Sequence, residues 1–138
     1  MKRSKLISVT LAVVFATFLA WFSVLTLHAQ KIGEIKRTVL TKQDLSVPGR
    51  EGIQVMVEFA PGAREARHTH PGDLFAYLLE GTLSLDIEGT PTRTVNPGEA
   101  FFVPAEKVHW AECSGKMPCK LLVTFVVEKG KPLMSPAK

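Results

Sequence analysis

No block of like charge runs through these 138 residues. Lysine and arginine number 17 against 13 aspartate and glutamate. Lys2, Arg3 and Lys5 lie at the extreme N-terminus, and beyond residue 29 the balance is 14 to 13. Aromatic residues, 8% of the chain, are not interleaved with basic ones. Nucleic-acid binding therefore has no electrostatic support. No stretch after Lys31 combines a helical period with capping residues. No internal repeat stands out. No Ser/His/Asp order, Cys/His nucleophile pair or phosphate-cradling glycine loop is present, and no residue offers itself as a general base.

One long apolar run is present, and it comes first. Leu6 to Leu27 holds 22 residues without a charge, behind the basic stretch Met1–Lys5. A signal-peptide core needs about 7–15 apolar residues, while a membrane span needs about 20. Residues 1–29 are expected to be a hydrophobic helix, either a signal peptide cut near Ala29 or a retained anchor. In both cases the basic end stays in the cytoplasm and the remainder is exported. The expected location is the periplasm or the exterior, or the outer face of a bacterial inner membrane. The 109 residues beyond position 29 suffice for one modest core.

From Gly33 onward, glycine, proline and asparagine punctuate short β-rich runs. Ile53–Phe59 alternates, with Ile53, Val55, Val57 and Phe59 on one face and Gln54, Met56 and Glu58 on the other. Leu74–Leu79 is apolar on both faces and reads as a fully buried strand. Ile35–Leu40, Thr82–Ile87, Arg93–Val95, Ala100–Val103, His109–Cys113 and Leu121–Val127 complete the series. Many short strands at regular spacing predict an all-β sandwich or barrel over residues 33–129. Residues 130–138, rich in Lys and Pro, read as a loose tail.

Three histidines lie in this part. His68 and His70, at i and i+2, fall on the same face of a strand. His109 opens another strand 39 residues later. A paired His-x-His with a third histidine is a candidate metal-ligand set. Cys113 and Cys119 frame a turn rich in Gly and Pro, and outside the cytoplasm they most simply form a disulfide. The alternatives are a redox thiol beside a metal, or thiolate ligation with His109.

Two motifs carry a family resemblance. Gly62-Ala-Arg-Glu-Ala-Arg-His68-Thr-His70, continuing through Pro71-Gly72 to Gly81, resembles the first cupin motif. Gly98-Glu-Ala-Phe-Phe-Val-Pro104-Ala-Glu-Lys-Val-His109 resembles the second. The spacing between them is similar to that of small single-domain cupins of the type-2 jelly-roll superfamily. The resemblance implies a jelly-roll β-barrel of antiparallel strands with a site in its mouth. It also implies His68, His70 and His109 as metal ligands and, as a family-level guess, a homodimer.

Three positions depart from the family pattern. Leu74 stands where a ligating glutamate is usual, Glu106 where a glycine follows the proline, and Cys113 where an asparagine ends the second motif. Asp73 would replace the missing carboxylate only through a bulge, because neighbouring strand residues face opposite ways. Three neutral imidazoles suit divalent Fe, Zn, Ni, Cu or Mn, with Mn least favoured. Open coordination positions would take water, oxygen or substrate.

The expected ligand is a small polar or anionic molecule, with Gln54, Leu74 and Tyr77 as candidate pocket-lining residues. Three-histidine iron centres in the family are associated with thiol and diketone dioxygenases. If the chain is an enzyme, oxygen-dependent oxidation is therefore expected ahead of isomerisation or decarboxylation. The rivals are a ligand- or metal-binding sensor that turns nothing over, and a structural partner of a membrane complex. Membrane contact is expected only through the N-terminal segment.

Overall fold

The structure is a computed structural model, and it describes residues 33–137. The expected N-terminal helix lies outside the described residues. Among the described residues, no helix is long and apolar enough to cross a membrane.

The described residues form ten strands in chain order: β1 (Ile35–Asp44), β2 (Arg50–Phe59), β3 (His68–Thr69), β4 (Gly72–Glu80), β5 (Leu83–Ile87), β6 (Arg93–Val95), β7 (Ala100–Val103), β8 (His109–Cys113), β9 (Cys119–Glu128) and β10 (Ser135–Pro136). They form two five-stranded sheets, ordered β1-β2-β9-β4-β7 and β10-β3-β8-β5-β6. Every pairing is antiparallel. This is the jelly roll that the family resemblance implied, and it satisfies the sandwich or barrel expected from the strand pattern.

Period-2 alternation builds the core. In β2, Ile53, Val55, Val57 and Phe59 are buried, and in β9 so are Cys119, Leu121, Val123, Phe125 and Val127. These strands pair without a register shift from Arg50↔Glu128 to Phe59↔Cys119. Leu83 and Leu85 of β5 and Ala111 and Cys113 of β8 close the core from the other sheet. Each fully buried aliphatic side chain contributes about 1.5–3 kcal/mol of transfer free energy.

Two expectations are corrected here. Leu74–Leu79 is not buried on both faces. Leu74, Ala76 and Leu78 point inward, but Phe75 and Tyr77 are 52% and 44% exposed. β4 lies between β9 and the edge strand β7, and among the described residues no helix covers the outer face of this sheet. There Phe75 packs on Phe102 of β7, with ring centroids 4.9 Å apart. Nor is the segment after Lys129 a loose tail. Ser135 and Pro136 pair with Thr69 and His68, and the Ala137 amide donates to the Arg67 carbonyl at 3.0 Å. This segment has no hydrophobic period, so its anchoring, which comes from backbone pairing, left no mark in the pattern.

Cys113 and Cys119 form a disulfide between the end of β8 and the start of β9. It thus ties one sheet to the other. Gly81 makes room for it. Its φ is +83°, and a Cβ there would stand 2.5 Å from the Pro118 carbonyl oxygen and 2.7 Å from Cys119 Sγ. Closing so short a loop stabilises by about 2 kcal/mol in the chain-entropy description. Replacing both cysteines with alanine should lower the urea-unfolding free energy by about that amount. A wild-type urea midpoint identical with and without reductant would contradict it.

Candidate metal centre

The three histidines reach one place by separate routes. His68 belongs to β3 and lies directly opposite His109 of β8. His70 follows one residue beyond β3, so the i, i+2 spacing keeps it on the face of His68. Gly72, next but one, presses on β9. A Cβ there would stand 2.1 Å from the Val126 carbonyl oxygen, so no side chain fits. All three imidazoles are buried, with ring centroids 4.3–5.0 Å apart. Phe125 of β9 packs edge-on against His70 with its centroid at 4.8 Å.

Hydrogen bonding fixes how each ring presents itself. His68 Nδ1 meets the Ala66 carbonyl at 2.7 Å, His109 Nδ1 meets Lys107 at 2.9 Å, and His70 Nδ1 meets Leu133 at 2.6 Å. A carbonyl oxygen can only accept, so each Nδ1 carries the proton and donates it. Each Nε2 is then left with a free lone pair, as in metal-bound histidines whose other nitrogen is held by a carbonyl. The candidate ligand nitrogens lie within 4.8 Å of one another. Bonds of about 2.1 Å hold two nitrogens about 3.4 Å apart at a tetrahedral angle, so loading would draw the rings slightly together. The donor set, its tautomers and its burial fit a divalent transition ion.

Burial also sets the charge. Removal from water is the largest cause holding His70 and His109 down at about 4, from an ordinary 6.5. The neighbouring imidazoles push in the same direction, while the hydrogen bonds to Leu133 and Lys107 oppose it. Both rings are therefore neutral, the form that binds metal, across the physiological range. The unfolded chain takes up these protons from about pH 6.5 downward, and the metal-free barrel only near pH 4. Stability is then complete above about pH 6.5 and falls as pH drops toward about 4. Urea midpoints of metal-free protein should decline steadily over that window, and a flat profile would contradict the burial.

The departures from the family pattern have structural counterparts. Leu74 faces the histidines and helps line their pocket. Asp73 points away and accepts the Ala105 amide at 3.1 Å, so no bulge brings it in. Glu106 has φ of +60°, the left-handed conformation that favours glycine. Its amide donates to the His70 carbonyl at 2.9 Å, so this turn of the second motif holds the first.

Two candidate lining residues are corrected. Gln54 lies on the outer face of β2, where its side-chain amide reaches Thr124 at 3.4 Å. Tyr77 stands on the outer face of β4. Strand parity decides both, because Val55 and Ala76 take the inward positions.

The pocket is a cavity of about 290 Å³ and is mostly apolar. Val55, Val57, Leu121, Val123 and Phe125 face the histidines, since the inward positions of β2 and β9 are aliphatic or aromatic. Beyond the three histidines, the charged side chains of this lining are Arg37 and Glu65 among the described residues. Arg37 and Val39 of the edge strand β1 mark the exposed side, where Arg37 pairs with Glu65. Leu133 and Met134 complete the wall. Phe125 was within reach of sequence reasoning by its parity in Leu121–Val127, whereas Leu133 and Met134 lie in a stretch without any period.

A jelly-roll barrel with three inward histidines defines the cupin class. The chain belongs to the cupin domain family, whose model matches residues 55–125. It is 33% identical over 108 residues to the tetracenomycin polyketide synthase protein TcmJ of Streptomyces glaucescens, covering 78% of this chain and 69% of that protein. It is 33% identical over 87 residues to germin-like protein subfamily 2 member 2 of Arabidopsis thaliana, covering 57% of this chain. That match spans only 40% of the germin-like protein's own length. Among solved structures, a conserved double-stranded β-helix protein from Klebsiella pneumoniae superposes with a TM-score of 0.60 at 20% identity, covering 76% of this chain and 85% of that one.

Proposed function

We propose that this chain is an exported, metal-dependent cupin in which His68, His70 and His109 hold one divalent transition ion. Its ligand is then a small molecule with an apolar body and an oxygen-donor head. The observation that carries this reading is the pairing of three buried, convergent imidazoles with a pocket that is aliphatic and aromatic apart from the paired Arg37 and Glu65. Residues 1–29 are the signal peptide or anchor of the exported form, and the Cys113–Cys119 bridge suits an oxidising compartment.

A bound ion would supply Lewis acidity and open positions for a chelating head group and oxygen. The chain's own contribution is orientation and exclusion of water. Val55, Val123 and Phe125 would hold the apolar body, while the backbone carbonyls of Ala66, Lys107 and Leu133 keep the rings in the metal-binding tautomer. The polar or anionic character expected from the sequence is thereby confined to the head group. A polyketide-type compound fits this description, in keeping with the relative named above.

Benzoylacetone and acetylacetone offer the same β-diketone head, with and without a phenyl group. Calorimetry on zinc-loaded protein should find benzoylacetone tighter by about tenfold or more, since burying the ring contributes about 1.5–3 kcal/mol. Tighter acetylacetone binding would overturn the apolar-body reading. A second reading, capture without turnover, has one observation in its favour. Apart from the three rings, the ionisable side chains lining the pocket are Arg37 and Glu65, and they are paired with each other. Oxygen uptake by iron-loaded protein with benzoylacetone would exclude capture alone.

A further inference from the structure

The three histidines are not held alike. His68 and His109 donate to carbonyls two residues back in their own chain segments, Ala66 and Lys107. Those acceptors arrive with the local backbone. His70 donates instead to Leu133, 63 residues away. Leu133 belongs to the segment that leaves β9 and returns along β3 to end in the two-residue strand β10. The same segment supplies Leu133 and Met134 to the pocket wall.

We propose that the C-terminal segment Leu133–Ala137 is a working part of the site: the Leu133 carbonyl is the positioning group for His70, and the segment closes the pocket around it. The metal arm of this proposal rests on the reading of the three histidines as ligands; the tautomer arm does not.

The physical reason is the tautomer. A neutral imidazole carries its proton on one nitrogen, and an acceptor at Nδ1 decides which. Without Leu133, the buried Nδ1–H of His70 has lost its acceptor, and the proton is free to move to Nε2, where it blocks metal binding. The ring also loses the contact that sets its angle. Outer-shell partners of this kind typically change metal affinity by about 10–100-fold. Beyond the packing of Leu133 on the core, the segment's backbone attachment is slight. β10 pairs only with β3 at the edge of its sheet, through Ser135↔Thr69 and Pro136↔His68, and the Ala137 amide adds one bond to Arg67. Edge elements with so few bonds open locally at low free-energy cost.

Three variants test it. Deletion of residues 132–138 removes the segment. Ala137→Pro removes the Arg67 bond while leaving the chain intact. Leu133→Ala keeps the carbonyl and removes only the side chain. Zinc dissociation constants should rise about 10–100-fold in the deletion, by a smaller factor in Ala137→Pro, and by no more than about twofold in Leu133→Ala. Long-range proton–nitrogen NMR of metal-free protein should show His70 as a single Nδ1–H tautomer in wild type and Leu133→Ala, and as a mixture in the other two. Circular dichroism should show the β signature retained. If the deletion does not fold, Ala137→Pro carries both readouts. A wild type that binds no zinc would sink the metal reading and leave the tautomer readout to decide. A His70 tautomer unchanged in every folded variant, or wild-type zinc affinity in the deletion, would overturn the proposal.

Discussion

Replacing any one of His68, His70 or His109 with alanine is expected to strip the protein of most of its metal. In the proposed centre each imidazole supplies one of three protein ligands, and among the described residues no other His, Cys, Asp or Glu joins the cluster. Affinity should fall by at least about a hundredfold for each single variant, more than for loss of an outer-shell partner. A double variant should lose little beyond either single, because ligands of one ion act as a unit. The barrel should survive, since its core lies in β2, β4, β5, β8 and β9. Each substitution does leave a carbonyl without its ring donor, at Ala66, Leu133 or Lys107. That costs about 1–3 kcal/mol. Urea unfolding and metal content, measured on the same samples, separate the two effects. If the rings are only buried polar filling, stability falls but metal content is equally low in wild type and all three variants.

The second large effect is expected at Leu74. The side chain is buried and lines the pocket beside the histidines. Leu74→Glu would put a carboxylate where the family usually carries one. With metal present, the anionic oxygen gains a partner and affinity should rise by about tenfold or more. Without metal, the same group is a buried acid without a compensating charge. It should lower stability by about 3 kcal/mol or force itself to stay protonated. The signature is therefore a variant less stable than wild type in chelator and more strongly stabilised by added zinc. Equal loss of stability with and without zinc would mean that position 74 does not reach the ion.

The fold was legible where burial imposes a period. Arg93–Val95, Ala100–Val103 and His109–Cys113 are strands with the expected bounds, and Ile53–Phe59 buries its predicted face. His68, His70 and His109 come together because motif spacing follows strand parity, which survives folding. Gln54 and Tyr77 failed for the same reason: their parity belongs to the outer face, and polarity was given more weight than alternation. Leu74–Leu79 misled because an exposed apolar face beside an edge strand has the composition of a buried one. The segment after Lys129 was least legible. It is held by backbone pairing, by one carbonyl and by the packing of Leu133 on the core, none of which forms a periodic pattern. The largely apolar character of the pocket was not legible for a related reason. The metal site suggested a polar guest, whereas the pocket's character is written in the inward residues of β2 and β9, which a motif does not include.

Elemental analysis of the folded domain, purified without added metal and again after incubation with zinc, tests the three-histidine centre most directly. The expected result is about one ion per chain after incubation, and close to none for His109→Ala under the same conditions. Wild type that stays as empty as His109→Ala, with no shift in its unfolding temperature on adding zinc, would contradict the account.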